Sequence, residues 1–142
     1  MEAKLIAPCG INCGVCMAYL RTNNHCPGCR DLKSDLPVSI SRCAVRSCET
    51  IRLNSSGLCY ECEAFPCRRV KQLDKRYTTK YHMSMIGNLR TIRDKGMATF
   101  LDREANKWRC PDCGGTVSCH RLTCAACGAI LSAPPGENQA AT

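Results

Sequence analysis

Aromatic side chains are scarce in this chain of 142 residues, which has one Trp, two Phe and four Tyr, 5% of the total. So little aromatic mass excludes a large apolar interior. No apolar run approaches the roughly 20 residues of a membrane-spanning helix, so no membrane association is expected. Residues 1–8 have no apolar core of signal-peptide length, and the expected location is the cytoplasm. A Gly-rich phosphate loop, a nucleophile elbow and a carboxylate pair are all missing. None of His25, His82 and His120 has a partner in a recognisable motif, so the chain is expected not to be an enzyme.

Cysteine is the opposite extreme. Hydrophobic residues make up 44% of the chain, but 15 of them are cysteine. Ten of these fall into C-x-x-C pairs: Cys13/Cys16, Cys26/Cys29, Cys59/Cys62, Cys110/Cys113 and Cys124/Cys127. Two intervening residues let both sulfurs turn toward one centre, and two such claws complete a tetrahedral shell of thiolates. A disulfide framework fits less well, because the cysteine count is odd and no segment points to an oxidising compartment. One four-thiolate zinc site contributes on the order of 10 kcal/mol to folding, comparable with the net stability of an ordinary domain. The metal-free chain is therefore expected to be largely unfolded.

Composition divides the chain into four parts. Residues 1–67 hold ten cysteines and read as a metal-binding module of irregular loops and short helices. Residues 68–108 hold none and read as basic amphipathic helices packing on it. Residues 109–131 hold five and read as a zinc ribbon, and residues 132–142, small and polar with two prolines, as a disordered tail. The expected fold is a small metal-stabilised one, mainly α with irregular cysteine-rich loops and a C-terminal zinc-ribbon β-hairpin.

Within the first part, residues 15–20 predict a short helix. In the second, Val70, Leu73 and Tyr77 recur at helical spacing, and Met85, Leu89 and Ile92 share one helical face, with Ser84 as N-cap and Gly96 as terminator. Met97, Phe100, Leu101, Ala105 and Trp108 form a second apolar stripe, read as core.

In the ribbon, Cys110-Pro-Asp-Cys113-Gly and Cys124-Ala-Ala-Cys127-Gly are two knuckles whose four sulfurs close a site with no position left for water or substrate, as in structural zinc. Between them, Cys119 and His120 are read as hairpin residues, with Cys119 packed or exposed, in preference to a substitute ligand or a reactive thiol beside a base. The N-terminal ten, Cys9, Cys13, Cys16, Cys26, Cys29, Cys43, Cys48, Cys59, Cys62 and Cys67, exceed by two the eight needed for two tetrahedra. Either two are spare or sulfurs bridge metals. The economical pairing joins Cys13/Cys16 with Cys26/Cys29 and Cys43/Cys48 with Cys59/Cys62, leaving Cys9 and Cys67. The expected cofactor is zinc, about three per chain. An iron–sulfur cluster is the alternative for the N-terminal module, because Cys9-x3-Cys13-x2-Cys16 has a cluster-binding spacing and the same thiolates serve both metals. A chain of this length is not expected to form the barrel of a radical enzyme, which leaves an electron carrier as the alternative function.

The run from Ala7 to Tyr19 together with Cys26-Pro-Gly-Cys29, Cys43-x4-Cys48 and Cys59-Tyr-Glu-Cys62-Glu-Ala-Phe65-Pro66-Cys67 resembles the bacterial and archaeal family called domain of unknown function 3795. The likeness continues through residues 73–77, Tyr81-His-Met-Ser84, Asn88-Leu89 and the Trp108-x-Cys110 ribbon of its longer members, covering nearly all of residues 7–128. It implies a cysteine-rich, zinc-binding domain without an assigned activity.

The formal net charge is +8. Residues 68–108 carry eleven Lys/Arg and four Asp/Glu, whereas residues 1–67 carry seven and six. Each zinc with four thiolates adds two negative charges, so the chain becomes dipolar. The face of residues 68–80, with Arg68, Arg69, Lys71, Lys75, Arg76 and Lys80, suits an acidic protein or RNA/DNA. The functional expectation is a structural zinc-binding module that serves as an interaction adaptor.

Overall fold

The computed structural model of the protein describes residues 1–31 and 41–137. Regular structure among them is helical: α1 (Met17–Leu20), α2 (Glu49–Leu53), α3 (Arg68–Lys80), α4 (Met85–Lys95) and α5 (Met97–Lys107). Irregular loops and single 3-10 turns connect these helices and carry the cysteines. No helix among the described residues is long and apolar enough to cross a membrane.

The apolar stripes explain the three longer helices. On α3, Val70 is buried, with Leu73 and Tyr77 half-buried beside it. On α4, Met85, Leu89 and Ile92 are buried, the Ser84 hydroxyl oxygen accepts the Gly87 N–H at 2.9 Å, and the Gly96 N–H closes the last turn on the Ile92 carbonyl. α4 packs against both α3 and α5. Asp74 on α3 ties the first contact, because its Oδ1 accepts the Ser84 hydroxyl at 2.8 Å and the Ile86 N–H at 3.0 Å. The first helix is shorter than the sequence predicts. Val15 lies in a 3-10 turn and Cys16 caps the single turn that begins at Met17.

The cysteine-rich loops seat on these helices through Gly10. Its φ is +93°, and a Cβ there would stand 2.7 Å from the Met85 carbonyl oxygen and 2.9 Å from Leu89 Cγ. Only glycine lets the backbone come so near α4, where the Asn88 side chain donates to the Gly10 carbonyl at 2.9 Å. Two apolar clusters result. One gathers Ile6, Val45, Leu58, Val70, Leu89 and Phe100 between the loops and helices. The other gathers Val15, Met83, Trp108, Val117 and the sulfur-bearing Cys110, Cys119 and Cys124 under the C-terminal knuckles.

The C-terminal segment departs from expectation in two ways. No β-strand forms among the described residues, and the hairpin expected within residues 109–131 is reduced to isolated antiparallel bridges at Arg109–Thr116, Val117–Cys124 and Thr123–Ile130. The knuckles themselves consume the backbone groups a ladder would use: the Cys110 N–H bonds the Gly115 carbonyl and the Cys124 N–H bonds the Ala129 carbonyl, both at 2.8 Å. The expected disordered tail is also partly placed. Pro134 and Pro135 are buried, and the turn Pro135–Glu137 packs on α5. Residues 138–142 lie outside the described residues.

A buried polar link that the apolar pattern hid joins the two ends of the fold. Glu104 on α5 is 5% exposed and Asn12 is 1% exposed. Glu104 Oε2 accepts the Asn12 side-chain amide at 2.9 Å and the Trp108 indole N–H at 3.0 Å. Glu104→Ala strands both donors, with an expected loss on the order of 3 kcal/mol. Glu104→Gln keeps an acceptor oxygen there and is expected to cost less than about 1.5 kcal/mol. Urea unfolding of the metal-loaded protein, followed by Trp108 fluorescence, measures both, and equal losses for the two variants would contradict the assigned link.

Candidate metal centres

The C-terminal knuckles bring Cys110, Cys113, Cys124 and Cys127 together, with all four sulfurs within 4.8 Å of one another. Cys110 and Cys127 stand 3.8 Å apart and Cys113 and Cys124 3.5 Å apart. A tetrahedral ion with metal–sulfur bonds of about 2.3 Å requires sulfurs about 3.8 Å apart, so the four side chains fit a single ion. Each knuckle turns a backbone N–H onto its sulfur: Gly115 donates to Cys113 at 3.3 Å and Ala126 to Cys124 at 3.4 Å. Gly114 and Gly128, the residues after the second cysteines, adopt φ of +76° and +78°.

The electrostatics of this group favour a cation. The Cys127 N–H, then the Ala126 N–H and the neighbouring thiols, pull Cys124 down to about 6. The Ala129 N–H favours a thiolate at Cys127, but the protons it shares with Cys113, Cys110 and Cys124 push it up to about 12. One thiolate forms readily, and the others lose their protons to a bound metal.

The N-terminal cysteines occupy two neighbourhoods. In the first, the Cys29 N–H donates to Cys13 Sγ at 3.4 Å. The Cys29 thiol lowers the Cys13 pKa against the cost of burial, and Arg30 assists. Cys16 is raised, first by burial and then by the charges of Cys13 and Cys26, which places the two claws side by side. The second neighbourhood is a cavity of about 310 Å³ with Cys48, Cys59, Cys62 and Cys67 on its wall. Cys43, which economical spacing joins to Cys48, Cys59 and Cys62, packs against the same apolar cluster as Cys48 and Cys67. Cys9 is buried and its thiol is pushed up to about 12, chiefly by burial, with Cys43 and Cys13 as charged neighbours. It lies between the two groups. Among the described residues, the ribbon alone draws three or more His, Cys, Asp or Glu ligand atoms into one tight group.

Cys119 and His120 dock the ribbon onto the first knuckle. The Cys119 N–H donates to the Val15 carbonyl at 2.9 Å, and the Met17 N–H donates to His120 Nδ1 at 3.3 Å. That donor assigns the imidazole proton to Nε2, which faces the Tyr77 hydroxyl oxygen at 3.3 Å. Burial lowers the His120 pKa, so the ring is neutral, and Tyr81 packs against it with centroids 4.6 Å apart. Burial also pushes the Cys119 thiol up to about 12, which makes it a packed thiol and a poor nucleophile. His25 and His82 are exposed. The sequence shows the Cys119-His120 pair, but only the fold reveals the contact with Val15 and Met17.

Cys113→Ser is expected to remove one bound divalent ion per chain, and Cys119→Ala to leave the metal content unchanged. Native mass spectrometry of the two variants reads this directly, and loss of an ion from Cys119→Ala would return that residue to the list of ligands.

Comparison with known proteins agrees with the cysteine pattern over part of the chain. No curated protein and no solved structure matches it. Residues 5–72 match the model of a family described as "Protein of unknown function (DUF3795)", which supports that family for the cysteine-rich module and leaves the ribbon outside the match.

Proposed function

We propose that the protein is a zinc-stabilised interaction module that acts by binding, not by catalysis. The closed group of Cys110, Cys113, Cys124 and Cys127 carries this reading. All four ligand positions belong to the protein, the sulfur separations suit a zinc ion, and no position is left for a substrate. The site is thus a zinc ribbon with little ladder, in which the ion replaces strand pairing. Thiolates held for a metal need a reducing compartment, and the cytoplasm supplies one.

The binding surface in this reading is the outer face of α3. Arg68, Arg69, Lys71, Lys75, Arg76 and Lys80 are all exposed, and none of them forms an ion pair among the described residues. Val70, Leu73 and Tyr77 anchor the opposite side of the helix in the core. A rigid, uncompensated basic helix beside anionic metal–thiolate centres suits a polyanionic partner, RNA or DNA in the first instance and an acidic protein in the second.

Elemental analysis of protein purified without added metal is expected to find zinc at the ribbon, lost in Cys113→Ser; a different ion there would overturn the zinc assignment. Neutralising Lys71, Lys75, Arg76 and Lys80 together is expected to weaken RNA binding at least about tenfold and to flatten its salt dependence by up to roughly one log unit per contact removed. Fluorescence anisotropy across a salt series measures it, and an unchanged slope would remove nucleic acid from the reading.

A further inference from the structure

We propose that the cavity walled by Cys48, Cys59, Cys62 and Cys67 is the binding site of a polynuclear iron–sulfur cluster, with those four thiolates as its ligands. The ribbon provides an internal standard. There, four thiols destined for one ion already stand at single-ion separations. The four cysteines of the cavity do not close into such a group, yet all four line one shared space of about 310 Å³. No three of these sulfurs lie within 4.8 Å of one another, whereas a single ion needs them about 3.8 Å apart; a polynuclear iron–sulfide core takes its four thiolates at wider separations.

The placement of the four cysteines suits such a core. Cys59-x2-Cys62-x4-Cys67 puts three ligands on one short loop, and Cys48 supplies the fourth from the start of α2. Three clustered cysteines with a remote fourth is a ligation pattern of ferredoxin-type clusters. Ile51, Phe65 and Val70 line the apolar part of the cavity. Arg68 and Arg69 stand at the same wall, where their charge offsets the net negative charge of a thiolate-ligated cluster.

A two-zinc cluster bridged by sulfur would draw in a fifth and sixth thiolate, and Cys43 is absent from the wall.

The test is anaerobic reconstitution of the full chain with ferric iron, sulfide and a thiol reductant. The expected product binds iron and acid-labile sulfide in equal amounts, has a broad visible absorption, and keeps its ribbon zinc. Cys62→Ser/Cys67→Ser is expected to lose the visible band and at least about 90% of the iron while retaining the ribbon zinc. Cys113→Ser/Cys127→Ser is expected to do the reverse. A visible band that survives in the first variant, or zinc in place of iron at the cavity of the second, would overturn the assignment. Should the first variant fail to fold, iron X-ray absorption on the unaltered protein decides: iron–iron scattering supports the cluster and isolated iron refutes it. Failure of the ribbon reading shows separately, as an absence of zinc that Cys113→Ser would otherwise remove.

Discussion

Crowded thiols are the constraint around which this chain is organised. The fold brings Cys9, Cys59 and Cys119 into surroundings that hold each thiol at about 12, with burial as the leading cause and neighbouring sulfurs adding to it. These buried thiols pack as small apolar groups, and the rest of the interior is two modest clusters with one buried Trp and one buried Phe. A structural four-thiolate ion supplies about 10–16 kcal/mol, as much as the whole net stability of a typical domain. Metal ligation is the one interaction at hand that turns the crowding of sulfur from a cost into a source of order.

The basic charge is shared between two tasks. Arg30 donates from Nε to the Ile6 carbonyl at 2.5 Å, and Arg46 donates to the carbonyls of Cys29 and Asp31, both at 2.9 Å. These guanidinium groups stitch the irregular loops, where no helix or sheet satisfies the carbonyls. On α3, Arg68 and Arg69 stand at the cavity wall, and Lys71, Lys75, Arg76 and Lys80 are left exposed to solvent. The formal charge therefore overstates what a partner meets on the cysteine-rich face and understates it on α3.

Features set by local spacing were legible in the sequence. The α4 boundaries followed from Ser84 and Gly96 and its buried face from Met85, Leu89 and Ile92, because caps and 3.6-residue periodicity are local properties. The grouping of Cys110, Cys113, Cys124 and Cys127 was legible for the same reason, since each pair is preassembled by a two-residue gap. Glu104 stayed hidden. It occupies a position of the α5 stripe that sequence assigns to solvent, and its partner Asn12 is 92 residues away. The membership of the second N-terminal group was equally long-range. Spacing joins Cys43 to Cys48, Cys59 and Cys62 and leaves Cys67 over, whereas the fold places Cys67 on the cavity wall and Cys43 against the same apolar cluster. The missing hairpin shows the opposite failure, a local pattern correctly read whose strands are pre-empted by the knuckles' own backbone bonds.

The seam between ribbon and N-terminal module follows from these same contacts. Cys119 and His120 sit in the loop between the ribbon's two claws, and they bond Val15 and Met17, the residues on either side of Cys16. Trp108, directly before the ribbon, is held by Glu104, which also holds Asn12, directly before Cys13. The ribbon thus grips the first knuckle at both ends, through backbone bonds beside one sulfur and a buried carboxylate beside the other. Because the His120 ring is buried and neutral, this grip does not depend on a charge that titrates near neutral pH. Order in the C-terminal four-cysteine group is therefore passed to the residues around Cys13 and Cys16 through a short path. The C-terminal segment thus clamps the backbone on both sides of Cys13 and Cys16.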